Sequence, residues 1–459
     1  MRRMGEEMTQ PLVRIGGVLA EDAIRELELR VPESAYELVG APGEARRVIK
    51  SARVQARVVQ RDCVVVTVGD EPPQAAAAWS LAPREPRAKL TRGQGVLVRG
   101  VVAGRGFHWQ KHVDQTLAGR IELLPSERGI VLVNELPLET YLAGVITSEM
   151  SSACPIEFLR AQCITARAWL LAMTEPKHAG EPFDRCNDDC CQRYQGTDEL
   201  SDVAIDAVES TRGIVLVARD AMGDDVIVDA NYSKSCGGIV EIPEHVWGIQ
   251  KPGLGPLVDA PESSRVRRFM PVTEATLHDY LEGDWLRDTD VYCSPSVVPE
   301  DQLGKYLGRV DEAGHYFRWR VRYSHDELLE LLRQKLPEAA QMTRLTNLRV
   351  TKRGISGRAT EMVIEYVDGE RELSEVTVPD QYRIRQILHE RFLYSSAFAM
   401  EIERDSADRL QSVALTGAGW GHGAGLCQIG ALGMSLRGID HVRIVKHYFP
   451  GAELKSMYG

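Results

Sequence analysis

One glutamate ends an apolar, helix-like stretch, NELPLETYLAGVITSEM, at residues 134–150. Wound as a helix at about 100° per residue, Leu138, Leu142 and Val145 form an apolar stripe, and Glu149 returns to within about 20° of it. A carboxylate that faces a core is costly unless it is paired or protonated. Two interpretations remain open: a solvated residue at a frayed helix end, or a partly buried acid suited to general acid catalysis.

Glu139, in the same stretch, is the obvious partner for Glu149, but the distance argues against such a pair. Ten residues of helix span about 15 Å, whereas the paired carboxylates of glycosidases lie roughly 5 to 9.5 Å apart. If Glu149 is catalytic, we therefore expect it to act without Glu139 and without a second carboxylate nearby. Glu139 lies in the first turn, where it is expected to complement the helix dipole.

Four soft metal ligands follow in HAGEPFDRCNDDCCQRYQG, residues 178–196: His178, Cys186, Cys190 and Cys191. Such a set suits a closed tetrahedral zinc site, which would be structural because no coordination position remains for substrate. The spacing matches none of the common zinc-finger patterns. Free thiols, a catalytic Cys–His pair and a disulfide therefore remain alternatives.

Two glycine-containing segments could approach a ligand closely. In LTGAGWGHGAGLCQIGALGM, residues 415–434, five glycines alternate, which predicts a strand with one bare face and with Trp420 and His422 on the other. The glycines do not have the offsets of a dinucleotide-binding fingerprint. In NYSKSCGGIVE, residues 231–241, paired glycines predict a tight turn whose amides could contact a ligand.

Strands and helices must position these residues. Short β-branched runs predict strands from residue 10 to about 130, interrupted by a loop or linker that begins at Pro72. Helices are predicted at 138–150, 156–173, 199–211, 273–282, 326–335, 381–392 and 428–437. Because strands and helices mix without regular βαβ alternation, we expect an α+β fold. The predicted units are a strand-rich region at 1–104, a core at 105–259 and 346–459, and an inserted, charged lobe at 260–345.

Composition excludes several classes of protein. The 459 residues carry a net charge of −11, which argues against a general nucleic-acid binder. The sequence contains no run of about 18 apolar residues, so no membrane span is predicted. The first residues lack the apolar core of a signal peptide, so the protein is expected to stay inside the cell or to carry its export signal outside this chain. Nine scattered cysteines predict mostly ordinary small core residues rather than disulfides.

Taken in order, the motifs resemble one family, the stage II sporulation protein D (SpoIID) family, which includes the LytB amidase enhancers. The matching segments begin at about residue 105 and are NELPLETYLAGVITSEM, AQCITARAWLL, CQRYQG, ESTRGIVLV, NYSKSCGG, GWGHGAGLCQIGALGM and HYFPG. The resemblance implies a peptidoglycan-directed lytic transglycosylase, with Glu149 in the position of the family's catalytic glutamate. It also implies a zinc site at His178, Cys186, Cys190 and Cys191.

The resemblance further implies a glycan-binding cleft, and two alternatives to the transglycosylase remain open, one of them favoured by the missing signal peptide. Arg167, Tyr194, Tyr232, Ser233 and His422 are the candidates to bind sugar. Cys236 and Cys427 depart from the family, since Ser or another small polar residue is usual at both positions, and a thiol is a weaker hydrogen-bonding group. The alternative is a protein that binds peptidoglycan and stimulates a cell-wall amidase without cleaving glycan. A zinc-stabilised intracellular protein without wall chemistry is a third possibility.

Overall fold

The N-terminal third of the chain folds as sheets. The computed structural model describes residues 9–40, 46–60, 62–86, 88–106, 110–172, 177–309, 311 and 314–458, and its mixture of helices and sheets confirms the predicted α+β class. Alternation places every second side chain in the core, as at Val64, Val66 and Val68. The strands of this region are β1 (Leu12–Val18), β2 (Glu26–Arg30), β3 (Tyr36–Val39), β4 (Arg47–Val48), β5 (Arg53–Gln60), β6 (Cys63–Val68), β7 (Gln74–Ala76), β8 (Trp79–Pro83), β9 (Val96–Ala103), β10 (Lys111–Leu117), β11 (Arg120–Pro125) and β12 (Ile130–Pro137).

Two sheets contain these strands and share one hydrophobic core. Within the described ranges, one sheet has the order β10-β9-β2-β5-β6-β7. The other runs β1-β12-β11-β8-β3-β4 and gains β13 (Arg185–Cys186), which pairs in parallel with β1. β7 and β8 correct the loop predicted from Pro72, because the apolar residues Ala76, Trp79 and Leu81 are buried between charged ends.

Helices pack against this core and begin directly after β12. The helices are α1 (Leu138–Glu149), α2 (Ile156–Ala172), α3 (Asp202–Ser210), α4 (Glu244–Trp247), α5 (Glu274–Glu282), α6 (Glu300–Leu303), α7 (His325–Lys335), α8 (Gln381–Ile387), α9 (Gln428–Leu436) and α10 (His441–Tyr448). The predictions for α1 and α2 are confirmed, although Met173 lies outside the described residues. Pro155 lies between α1 and α2. Because proline has no amide proton, it cannot donate a helical hydrogen bond and does not continue a preceding helix. No described helix is both long and apolar enough to cross a membrane.

Further strands build the remainder of the chain, and a second core forms from side chains between Trp319 and Leu415. Buried apolar residues between Val266 and Phe317 do not belong to this second core. They pack in the first hydrophobic core, together with residues of α1 and α2. The strands are β14 (Ile214–Arg219), β15 (Asp225–Ile227), β16 (Tyr232–Ser233), β17 (Ile239–Val240), β18 (Leu257–Val258), β19 (Arg318–Ser324), β20 (Arg344–Arg353), β21 (Ala359–Val367), β22 (Leu373–Val378), β23 (Phe398–Arg404), β24 (Leu410–Ala418), β25 (Leu426–Cys427) and β26 (Glu453–Ser456).

The glycine-rich segment corrects the sequence prediction of one continuous strand at 415–427. β24 ends at Ala418, and Gly419, Gly421, Gly423 and Gly425 have φ angles between +75° and +95°. This left-handed backbone is open to glycine and strained for other residues. A Cβ atom at Gly425 would lie 2.0 Å from the carbonyl oxygen of Asn231, so the glycines allow two loops to touch.

Candidate functional site

Glu149, the last residue of α1, is buried and hydrogen-bonded rather than solvated at a frayed end. The residue is only 7% exposed. Oε1 accepts hydrogen bonds from the Arg193 amide at 3.0 Å and from the Tyr232 hydroxyl at 2.9 Å. Oε2 lies 3.5 Å from Nε2 of Gln428. Three separate segments thus hold this carboxyl in one orientation.

A network of buried charges surrounds the end of α1. Lys234 donates to the backbone oxygen of Glu149 at 2.7 Å, where a cation complements the negative end of the helix. The same ammonium pairs with Asp311 at 2.8 Å. The Arg193 guanidinium pairs with Asp311 at 2.5 Å and also with Asp189. Asp189 and Asp311 therefore correct the expectation that Glu149 has no carboxylate nearby.

The two aspartates differ in acidity. Burial raises the pKa of Asp189 to about 6, although Arg193 opposes the shift. Burial also disfavours the charge on Asp311, but Arg193 and Lys234 outweigh it and lower its pKa to about 2. Burial, together with the charge of Glu149, raises the pKa of Tyr232 well above 10, so this phenol remains a hydrogen-bond donor. Asp311 is thus the fixed anion of the network, and Asp189 is the weaker acid of the two.

Glu149 opens onto a cleft of about 470 Å³ whose walls are rich in aromatic rings. Trp420 stacks on Tyr394 with ring centroids 4.5 Å apart, and it contacts Tyr316 in a tilted arrangement at 4.4 Å. Flat apolar faces beside polar groups suit a ligand with both apolar and polar surfaces. The aromatic residues that line the cleft are Trp169, Tyr232, Trp247, Tyr316, Tyr382, Phe392, Tyr394 and Trp420.

Three of the predicted sugar-binding residues lie in this cleft: Tyr232, Ser233 and His422. The buried Ser233 hydroxyl has no hydrogen-bond partner among the described residues. Burial, with the nearby guanidinium groups of Arg385 and Arg358, lowers the pKa of His422 to about 3. The ring of His422 is therefore neutral, and it packs against Trp247 with centroids 5.0 Å apart.

Arg167 and Tyr194 do not line the cleft, which corrects their predicted placement. Arg167 is fully buried and forms a two-point ion pair with Glu139, at 3.0 and 2.5 Å. Glu139 lies in the first turn of α1, as predicted, and is also the buried partner of this ion pair. Tyr194 is also buried, and its hydroxyl donates to Oδ1 of Asn134 at 2.9 Å.

The predicted metal ligands come together in the loop between α2 and α3. The donor atoms of His178, Cys186, Cys190 and Cys191 all lie within 4.8 Å of one another. Nε2 of His178 is 3.6 and 3.4 Å from the sulfurs of Cys190 and Cys191, close to the spacing of about 3.6 Å between N and S ligands of tetrahedral zinc. The sulfurs of Cys190 and Cys191 are 3.9 Å apart, near the roughly 3.8 Å between zinc-bound thiolates, whereas those of Cys186 and Cys190 are closer, at 2.9 Å. The cluster thus offers four soft ligands to one metal ion, which would draw Cys186 and Cys190 apart.

The loop that carries these ligands also fixes the Glu149 site. Cys186 pairs through the backbone with Gly16 of β1. Directly after Cys191, the Gln192 side chain accepts from the Tyr141 hydroxyl at 3.2 Å, and the Gln195 amide donates to Ser148 at 3.0 Å. Arg193 lies between these two anchors, so the position of its amide against Glu149 depends on this loop.

Sequence reasoning missed the charged residues that hold Glu149. Arg193 and Lys234 stand inside motifs that the sequence singles out, CQRYQG and NYSKSCGG, but neither has a spacing that indicates an ion pair. Asp311 lies 162 positions from Glu149 and carries no local signal. Gln428 follows the glycine-rich segment and could have been noticed only as a polar residue among apolar neighbours.

Comparison with known proteins agrees with the motifs. Residues 126–217 match the model of the stage II sporulation protein family, SpoIID, and residues 277–425 match a domain of unknown function, DUF8618. The chain is 26% identical to an uncharacterized protein of Brachyspira hyodysenteriae over 73% of its own length and 71% of that protein. It is 23% identical to the amidase enhancer of Bacillus subtilis over 69% of its length and 40% of that protein. These matches confirm the resemblance to the SpoIID/LytB family.

Proposed function

We propose that this protein is a peptidoglycan lytic transglycosylase in which Glu149 serves as both general acid and general base. The family match and the relative named amidase enhancer support a function related to the cell wall. The observation that carries the proposal is a buried, oriented glutamate at the base of an aromatic cleft. Aromatic faces suit sugar rings, and a positioned carboxyl suits glycosidic bond cleavage.

The geometry around Glu149 assigns a role to each oxygen. Oε1 already accepts two hydrogen bonds, from Arg193 and Tyr232, so in the neutral acid the proton belongs on Oε2. Oε2 donates this proton to the glycosidic oxygen as the bond from C1 of N-acetylmuramic acid breaks. The carboxylate then takes the proton of the muramoyl C6 hydroxyl, whose oxygen bonds to C1. A 1,6-anhydro ring forms, no water is consumed, and Glu149 is restored to its neutral form.

The charge network keeps the acid in place during this cycle. Lys234 pairs with Asp311, and Arg193 pairs with both Asp311 and Asp189, so each cation has a carboxylate partner other than Glu149. After proton donation Glu149 is negatively charged, and its Oε1 accepts hydrogen bonds from the Arg193 amide and the Tyr232 hydroxyl. These donors are already oriented, so the developing charge is stabilised without rearrangement.

Trp420→Ala is expected to weaken binding to glycan strands about 5- to 30-fold. Losing roughly 40–80 Å² of apolar contact at about 25 cal/mol per Å² removes about 1–2 kcal/mol of binding free energy. Binding of purified wild-type and variant protein to strands lacking stem peptides measures the change. Trp420→Phe retains a ring and serves as the matched control, with a smaller loss. Because Trp420 contacts Tyr316 and Tyr394, equal binding by wild type and Trp420→Ala would remove this group of three rings from the glycan site.

We further propose that the loop ligands His178, Cys186, Cys190 and Cys191 hold one structural zinc ion. Cys186→Ser is expected to lose about one equivalent of zinc per chain and to lower the melting temperature, because the loop also fixes Arg193. Elemental analysis with thermal unfolding measures both. Cys63→Ser changes a thiol of β6 outside the cluster and should alter neither quantity. Unchanged zinc content in Cys186→Ser would contradict the assignment.

An amidase enhancer without cleavage activity is the second candidate, favoured by the name of the Bacillus subtilis relative. The same aromatic cleft would then bind glycan, and Glu149 would shape it. Adding the protein to a cell-wall amidase and separately to bare glycan strands distinguishes the two functions. Faster amidase turnover with no new glycan ends supports the enhancer, whereas new anhydro ends without any amidase support the transglycosylase.

A further inference from the structure

A second cluster of metal-binding side chains lies apart from the cysteine loop and contains Cys236, Asp259, Cys293 and Cys427. Four segments distant in sequence supply one ligand each, and their donor atoms lie within 4.8 Å of one another. All four residues are buried, with at most 3% exposure. We propose that this cluster binds one tetrahedral metal ion of the zinc type through three thiolates and one carboxylate.

The spacing of the donor atoms supports a shared ion rather than a disulfide. The sulfurs of Cys236 and Cys293 are 3.7 Å apart, well beyond the S–S bond of about 2.05 Å. Two thiolates on tetrahedral zinc, each about 2.3 Å from the metal, lie about 3.8 Å apart. Oδ2 of Asp259 is 3.2 Å from the Cys236 sulfur, near the spacing of about 3.6 Å for zinc-bound S and O ligands.

Backbone amides point at the sulfurs in the manner that thiolates require. The Cys236 and Gly430 amides donate to the Cys427 sulfur at 3.2 and 3.3 Å. The Gly238 amide donates to the Cys236 sulfur at 3.3 Å. Cys427 also caps the N-terminus of α9, where the helix dipole favours an anion. Buried thiolates beside a carboxylate are costly without a cation, and a divalent ion removes that cost.

The two carboxylate oxygens of Asp259 have different neighbours: Oδ2 faces the cysteine sulfurs, and Oδ1 faces side chains outside the cluster. Oδ1 accepts from the Tyr448 hydroxyl at 2.7 Å and lies 3.4 Å from Nε2 of His447. A Cβ atom at position 430 would lie 2.3 Å from Oδ2, so only glycine permits this approach of α9. Such outer contacts orient carboxylate ligands in metal sites.

The position of the cluster gives the ion a structural role beside the cleft. Ser233, Lys234 and Gln428 line the cleft around Glu149. Cys236 follows the first two of these residues in sequence, and Cys427 directly precedes Gln428. One ion held by both segments would therefore fix two walls of the cleft relative to each other.

The decisive protein is the full chain carrying Cys186→Ser and Cys190→Ser, in which the loop site is removed. Purified under reducing conditions after growth with zinc, it is expected to retain about one zinc per chain. Cobalt exchanged into it should give the intense visible and sulfur-to-metal absorption of tetrahedral thiolate coordination. Adding Cys293→Ser should reduce bound metal at least tenfold, whereas adding Cys63→Ser should leave it unchanged.

Each outcome decides the proposal. A folded loop-site variant without metal, or with metal that Cys293→Ser does not reduce, overturns it. A disulfide between Cys236 and Cys293, detected by mass spectrometry in protein kept without reductant, also overturns it. If Cys293→Ser does not fold, Cys293→Asp retains a ligand, and it should bind cobalt with a weaker sulfur-to-metal band. An unchanged sulfur-to-metal band in Cys293→Asp counts against the site.

Discussion

Glu149→Gln is expected to lower the rate of glycan strand cleavage by roughly 100- to 10,000-fold, the contribution of a general acid–base group. Glutamine has the same shape, and its carbonyl oxygen can still accept from Arg193 and Tyr232. The variant therefore keeps the fold and the cleft but has no proton to give. Initial rates of product formation measure the effect, and binding to the same strands should change less than about threefold, or about 0.7 kcal/mol.

Asp189→Asn is the matched control, because Asp189 lines the same cleft and contacts the same arginine. Its pKa of about 6 makes it the competing candidate for the acid. If Glu149 is the acid, Asp189→Asn retains most of the activity. If Asp189 were the acid, its removal would abolish cleavage, and wild-type activity would fall as the pH rises through about 6 because the proton would be lost. That pattern would contradict the role assigned to Glu149.

Arg167→Met is expected to lower the free energy of unfolding by about 3–5 kcal/mol. Arg167 is buried and paired with Glu139, so removing the arginine leaves a carboxylate without its cation inside the core. The Tyr458 hydroxyl and the Gly213 amide also bind Glu139, but neither supplies a positive charge. Urea unfolding followed by circular dichroism measures the loss.

Two further variants test whether this loss of stability comes from the buried ion pair. Arg160→Met changes an arginine seven positions earlier in α2 whose ion pairs are partly exposed, so its cost should stay within about 1 kcal/mol. Arg167→Met combined with Glu139→Leu removes both charges and should recover much of the stability. If Arg167→Met keeps full stability yet loses glycan binding, the buried-pair interpretation is wrong and Arg167 is a substrate-binding residue, as the sequence predicted.

Local patterns predicted the helices that position the site. The apolar stripe of α1 and the break at Pro155 depend on neighbouring residues, so sequence spacing was sufficient. The same reasoning brought Glu149 to within about 20° of the apolar stripe but left open whether the helix end is frayed, and the buried position comes from the structure. The sequence also indicated the four loop ligands, because four soft metal ligands lie within fourteen residues of one loop. The structure brings their donor atoms to within 4.8 Å of one another.

Tertiary contacts decided what the sequence could not show. Alternating glycines at 417–425 resemble a strand pattern, yet four of them adopt left-handed backbone to let Asn231 and Arg358 approach. Arg167 was predicted to bind sugar, whereas its partner in the structure, Glu139, lies on another helix. Asp311 reaches Arg193 and Lys234 across more than 70 residues of chain, and no spacing rule predicts such a contact.

Mass spectrometry of glycan strands lacking stem peptides, after incubation with purified protein, tests the proposed reaction most directly. We expect new 1,6-anhydro-muramoyl ends with wild-type protein and with Asp189→Asn, and none above background with Glu149→Gln. Cleavage by Glu149→Gln at the wild-type rate would contradict the assignment of the acid. Strands that are bound by folded wild-type protein but never cut would contradict the transglycosylase itself.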